Sequence, residues 1–152
     1  MIRKAGIEDV KAIYRLLDNY SQKGELLARP LSKLYDHLRD FFVFVCDDGS
    51  IAGCCALQFC WENLAEIRSL AVAEEHQGNR TGSMLVEAAL SEAESSNIQN
   101  VFTLTYRPDF FKRFGFEITD RSELPLKIWA DCILCIKFPD CDETAMIKRL
   151  QF

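Results

Sequence analysis

Apolar residues recur along this chain with two periods, and the switches between them mark out the elements. Val10, Ile13, Leu16 and Leu17 keep the 3.6-residue spacing of a helix with one buried stripe, led in by Gly6-Ile7-Glu8-Asp9 and closed at Gly24. Leu31, Leu34, Tyr35 and Leu38 repeat that spacing, and Pro30 suits the first turn, where a missing N–H costs nothing. Met84, Leu85, Ala88, Ala89 and Ala93 do so again in a helix reaching about Ser96. Shorter runs at 2–4, 41–46, 51–61, 65–72, 101–104, 116–118 and 145–150 read as strands, with Asp47-Asp48-Gly49-Ser50 as a hairpin turn. Pro108 to Phe114 reads as a short helix, and a mostly irregular stretch follows 118. The order is strand, two helices, three strands, helix, strand, helix, strands. It predicts an α/β (α+β) chain with one mixed sheet flanked by helices. No repeat, low-complexity segment or linker interrupts it, so residues 1–152 are expected to form a single domain.

Composition narrows the function classes. The chain has 152 residues, enough for a substantial core, and is 49% hydrophobic and 27% charged, as globular proteins are. A net charge of −5 with scattered Lys and Arg gives no footprint for nucleic acid. No apolar run approaches a membrane span, and MIRKAGIEDV lacks the apolar core of a signal peptide. Seven cysteines, at 46, 54, 55, 60, 132, 135 and 141, are then expected as thiols in a reducing cytoplasm.

The stretch HQGNRTGSMLV (76–86) is a polar loop running into a helix, with Gly78 and Gly82 flanking Asn79-Arg80-Thr81. A helix N-terminus carries unpaired N–H donors and a partial positive charge, so such a loop suits phosphate. Taken alone, it suits a capped helix start equally well. The neighbouring segments decide between the two. AEIRSLAV (65–72), the loop Gln77-Gly78-Asn79-Arg80-Thr81-Gly82, its helix and FFKRFGF (110–116) together resemble a GNAT-type N-acetyltransferase. That family's acetyl-CoA loop reads Q/R-x-x-G-x-G/A. LLARPLSKLYDHLRDF (26–41), GCCAL (53–57), AEIRSLAV and SELP (122–125) resemble the acetyltransferase domain of bacterial N-acetylglutamate synthases, without the amino-acid-kinase domain many of them carry.

The resemblance implies the GNAT acyl-CoA N-acyltransferase fold, with a mostly antiparallel sheet, and acetyl-CoA as donor. It implies a CoA site at Gln77, Gly78, Asn79, Arg80, Thr81, Gly82 and Ser83, with pantetheine pairing along Leu70, Ala71 and Val72. The N–H near Leu70 would polarise the acetyl carbonyl. Arg80 stands where the family's middle glycine belongs, so a positive φ there is expected to be strained. Strand alternation puts Glu66, Arg68, Leu70 and Val72 on one face. The family often places a general base where Glu66 stands, and an α-amine with an ordinary pKa of about 7.7–8.0 needs one. Phe111 replaces a tyrosine that often protonates the leaving thiolate. It is expected to pack on the cofactor, with Tyr106 a substitute acid.

If L-glutamate is the acceptor, its two carboxylates call for arginine, whose planar fork binds them bidentately. Arg29, in LLARP, matches a substrate-carboxylate ligand of the synthase group; Arg68 and Lys127 are the other candidates. Another small amine or a protein N-terminus remains open as acceptor, as does a non-catalytic acyl-CoA-binding module. Cys132, Cys135 and Cys141, spaced C-x2-C-x5-C, offer a chelating pair without a second one, so no metal is expected. A homodimer is expected only by family habit.

Overall fold

A computed structural model describes residues 1–22, 30–120 and 143–150. Among these lie seven strands and four α-helices: β1 (Ile2–Lys4), α1 (Val10–Gln22), α2 (Leu31–Asp36), β2 (Phe41–Val45), β3 (Ile51–Trp61), β4 (Leu64–Val72), α3 (Thr81–Ser95), β5 (Asn100–Thr105), α4 (Pro108–Lys112), β6 (Glu117–Ile118) and β7 (Thr144–Arg149). The hydrogen-bonded order is β1-β2-β3-β4-β5-β7-β6. The pairs β1–β2, β2–β3, β5–β7 and β7–β6 are antiparallel, while β4 and β5 are parallel. The sheet is therefore mixed and mostly antiparallel, as predicted.

Element ends moved where local caps act. The helix expected over 30–38 stops at Asp36, because His37 leaves helical geometry (φ −110°, ψ 18°), and a 3-10 turn spans Leu38–Asp40. The helix expected to Phe114 stops at Lys112. Gly115, at φ +88°, sends its N–H to Lys112 O (3.0 Å), and Phe116 reaches Phe111 O (3.4 Å). That pair of bonds is a Schellman cap, which needs a left-handed residue where glycine stands.

Contacts divide the chain into two compact units, Met1–Gln58 with Ile67–Glu92, and Phe59–Glu66 with Ala93–Phe152. The first has a core of Val10, Ile13 and Leu17 from α1, Leu34 from α2, Phe41 and Val43 from β2, Cys54 and Ala56 from β3, and Ala71 from β4. Its start is fastened by Asp9, which accepts from Arg3 Nη1 (2.6 Å) and Nη2 (3.1 Å) and from the Gly6 N–H (2.7 Å). The second packs Cys60, Leu64, Phe102 and Ala145 together. Cys54, Cys55 and Cys60 are buried, as expected of small apolar side chains. No described helix is long and apolar enough to cross a membrane.

Candidate functional site

In the first unit, β4 passes through a 3-10 turn at Glu74–His76 and a loop over 77–80 into α3. Two loop residues are left-handed: Gly78 at φ +85°, with nothing within 4 Å of where a Cβ would stand, and Arg80 at φ +64°. Left-handed residues spaced this way turn successive N–H groups to one side, the geometry of an anion nest. The first helical bond of α3 is Met84 N–H to Arg80 O (3.0 Å), so the N–H groups of Thr81, Gly82 and Ser83 precede the ladder. Gln77 to Arg80 are exposed, whereas Thr81 is buried with its methyl toward Gly53. The Arg80 guanidinium lies 3.7 Å from Glu87, with 77% of its side chain exposed.

The strand expectation needs one correction. Ser69 sits within β4 at φ +56°. A left-handed residue is not extended, so strict alternation from Glu66 ends there, and the shared face cannot be carried through to Leu70 and Val72. Ser69 O accepts from Cys54 Sγ at 3.4 Å. Leu70 is half-buried, and Ala71 and Val72 are buried. Arg68 is half-buried and gives one of its donors to Gln58 Oε1 at 3.1 Å.

Beyond Val72, two side chains leading into the loop are tied down. Gln77 Nε2 donates to Tyr20 Oη (2.7 Å), and Tyr20 also bonds Val72. His76 Nε2 is 3.5 Å from Cys46 Sγ at the end of β2. Sequence reasoning missed Tyr20 and Gln58. A tyrosine in step with an apolar stripe reads as packing, and nothing in the sequence locates its hydroxyl.

In the second unit, Glu66 lies on β4 opposite Phe102 of β5, with 8% of its surface exposed. Thr103 and Thr105 of β5 are also buried. Phe111 of α4 is 4% exposed and packs edge-on against Phe110 (5.2 Å between ring centres) and Phe116 (5.3 Å). What the structure shows for it is an aromatic packing role. Tyr106 is half-buried. Arg29, Lys127, Cys132, Cys135 and Cys141 lie outside the described residues.

With that geometry in place, comparison with known proteins is informative. The model of the acetyltransferase (GNAT) family matches residues 10–116. An uncharacterised N-acetyltransferase of Chlorobaculum tepidum is 42% identical over 98% of this chain and 96% of its own length. An amino-acid acetyltransferase of Mycobacterium tuberculosis is 38% identical over 76% of this chain and 67% of its own length. The amino-acid acetyltransferase of Escherichia coli K12 is matched over only 28% of its length. Among solved structures, N-acetylglutamate synthase of Neisseria gonorrhoeae, complexed with coenzyme A and N-acetyl-glutamate, superposes with a TM-score of 0.91 at 27% identity, over 100% of this chain and 35% of that one.

Proposed function

The chain belongs to the acetyltransferase (GNAT) family, and we propose that it transfers acetyl from acetyl-CoA to the α-amine of L-glutamate. The observation that carries the donor half is the run from Gln77 to Ser83, where Gly78 and Arg80 are left-handed and the N–H groups of Thr81, Gly82 and Ser83 precede the helix ladder. That arrangement fits a pyrophosphate without any lysine. The acceptor half is supported by the likeness to amino-acid acetyltransferases and to the gonococcal synthase.

Acetyl-CoA supplies the acetyl group as an activated thioester. In this reading the Glu66 carboxylate takes the ammonium proton so that the free amine can attack, directly or through one water. In the same reading the Leu70 N–H would donate to the acetyl oxygen, where negative charge develops. Arg29, Arg68 and Lys127 are the cations proposed to hold the acceptor's carboxylates. A CoA thiolate, with a conjugate-acid pKa of about 8.5, is a tolerable leaving group, so no dedicated acid is needed where Phe111 stands. Nothing in this sequence of steps requires a metal. The seven thiols fit a reducing cytoplasm, and a homodimer fits family habit.

The test is CoA release from acetyl-CoA with L-glutamate set against other amino acids, polyamines and peptides. Turnover confined to L-glutamate upholds the reading; turnover with another amine keeps the mechanism and replaces the acceptor. Glu66→Gln should lower kcat by about 10²- to 10⁴-fold while leaving CoA binding intact. Unchanged kcat would remove Glu66 as the base.

A further inference from the structure

Gln58 and Arg68 stand on neighbouring strands, β3 and β4, and each follows a residue that the core has taken in. Leu57 and Ile67 are both 1% exposed, whereas Gln58 and Arg68 are half-buried. Side chains alternate along a strand, so burial of Leu57 turns Gln58 to the opposite face, and burial of Ile67 does the same for Arg68. The two meet there, with Arg68 Nη1 donating to Gln58 Oε1 at 3.1 Å.

A guanidinium carries five N–H donors and accepts nothing, so only the oxygen end of the amide can face it. The bond therefore fixes the direction of the amide and holds one corner of a planar group whose other edges keep a set angle to that corner. A long, unanchored arginine loses much rotamer freedom when it closes on an anion, and an anchored one has already lost part of it. The chemistry of the anchor matters as well. A carboxylate at position 58 would hold Arg68 more firmly through a charge-assisted bond, and would cancel its charge. An amide directs the guanidinium and brings no opposing charge. That combination suits a cation meant to receive an anion better than one used only to tie two strands together.

We propose that Gln58 is a positioning residue for the acceptor. It anchors Arg68 so that the guanidinium meets a carboxylate of the amino-acid acceptor in one orientation. The inference rests on the acceptor reading above, in which Arg68 is one of the cations that hold those carboxylates. It gives β3 a part in selecting an acceptor that carries a carboxylate over an uncharged or cationic amine. An anchored cation holds the acceptor equally well before and during acetyl transfer, so its effect falls on the acceptor KM and leaves kcat alone.

The experiment compares the wild type, Gln58→Met, Gln58→Glu, Arg68→Met and the double variant Gln58→Met/Arg68→Met by steady-state kinetics with L-glutamate and acetyl-CoA, alongside melting temperature. Gln58→Met keeps the length of the side chain and removes the accepting oxygen. Its KM for L-glutamate should rise about tenfold, with kcat and KM for acetyl-CoA held within about twofold. Gln58→Glu keeps an oxygen for Arg68 but cancels its charge, so its KM for L-glutamate should rise at least as far. In the Arg68→Met background the change at 58 should add less than about twofold, because the amide then has nothing to position. An unchanged KM in Gln58→Met, a wild-type KM in Gln58→Glu or full additivity in the double variant overturns the inference while leaving the acceptor assignment standing. A joint loss in kcat, both KM values and melting temperature also overturns it, since that is how a merely structural contact behaves. If the wild type does not acetylate L-glutamate, the acceptor assignment fails and takes this inference with it.

Discussion

Arg80 holds a backbone conformation that costs a residue with a Cβ about 1–2 kcal/mol. Glycine would remove that cost but would add unfolded-state freedom worth about 0.5–1 kcal/mol. Because the Arg80–Glu87 contact is long and exposed, its loss offsets little. Arg80→Gly should therefore stabilise the protein by up to about 1 kcal/mol, read as a rise in melting temperature. KM for acetyl-CoA should stay within about twofold if the loop binds through N–H groups. A large rise in KM would instead show the guanidinium reaching a phosphate. Asp9 makes an opposite kind of statement. Its bonds from Arg3, and then from the Gly6 N–H, hold its carboxyl below the ordinary aspartate value of 3.8, against the opposing effect of burial. A depressed folded-state pKa stabilises the fold at all pH above 3.8, and the contribution drains away as pH falls through the lower folded value. Asp9→Asn should cost about 1–3 kcal/mol near pH 6, by denaturant titration, and the gap from wild type should close below pH 4. A gap that is constant with pH would mean the charge of Asp9 plays no part.

At the scale of elements, close approach is the theme. A Cβ on Gly53 of β3 would stand 3.0 Å from Leu85 Cδ1, 3.1 Å from Ala71 O and 3.3 Å from Thr81 Cγ2. Two of those neighbours, Leu85 and Thr81, belong to α3, so Gly53 sets how near the helix lies to the strand. Gly53→Ala should destabilise by about 1–3 kcal/mol, since one contact is with rigid backbone. It should weaken CoA binding as well, because Thr81 begins the helix whose N–H groups are proposed to hold the phosphates. A neutral Gly53→Ala would show the packing to be slack. This spacing was invisible in the sequence, where GCCAL reads only as an apolar strand. What was legible were the long periodic runs, so α1 begins where its stripe begins and β3 spans Ile51–Trp61 as read. Ends were read a residue or two long where a local cap tightens the last turn, as Gly115 does for α4. The loop announced itself through its glycines. The left-handed Ser69 did not, because a serine inside AEIRSLAV has no feature that separates it from an extended one.

For the molecule as a whole, the thiols give the sharpest prediction. Of the seven cysteines, Cys54, Cys55 and Cys60 are buried, and burial, with Cys54 adjacent, pushes the Cys55 thiol far above its ordinary range. A thiol that stays protonated and covered is neither nucleophile nor ligand. Seven less three leaves four, namely half-buried Cys46, beside His76, and Cys132, Cys135 and Cys141. Native protein titrated with a neutral thiol reagent should therefore show at most four reacting groups, and seven in denaturant. Faster uptake of more than four would contradict the packed interior of both units. The same titration addresses the C-x2-C-x5-C spacing. If those three cysteines hold zinc, the native count falls toward one and climbs to four on chelation, with metal released in proportion. A count of four that chelator does not alter leaves them as thiols, the state in which acetyl transfer without a metal needs nothing from them.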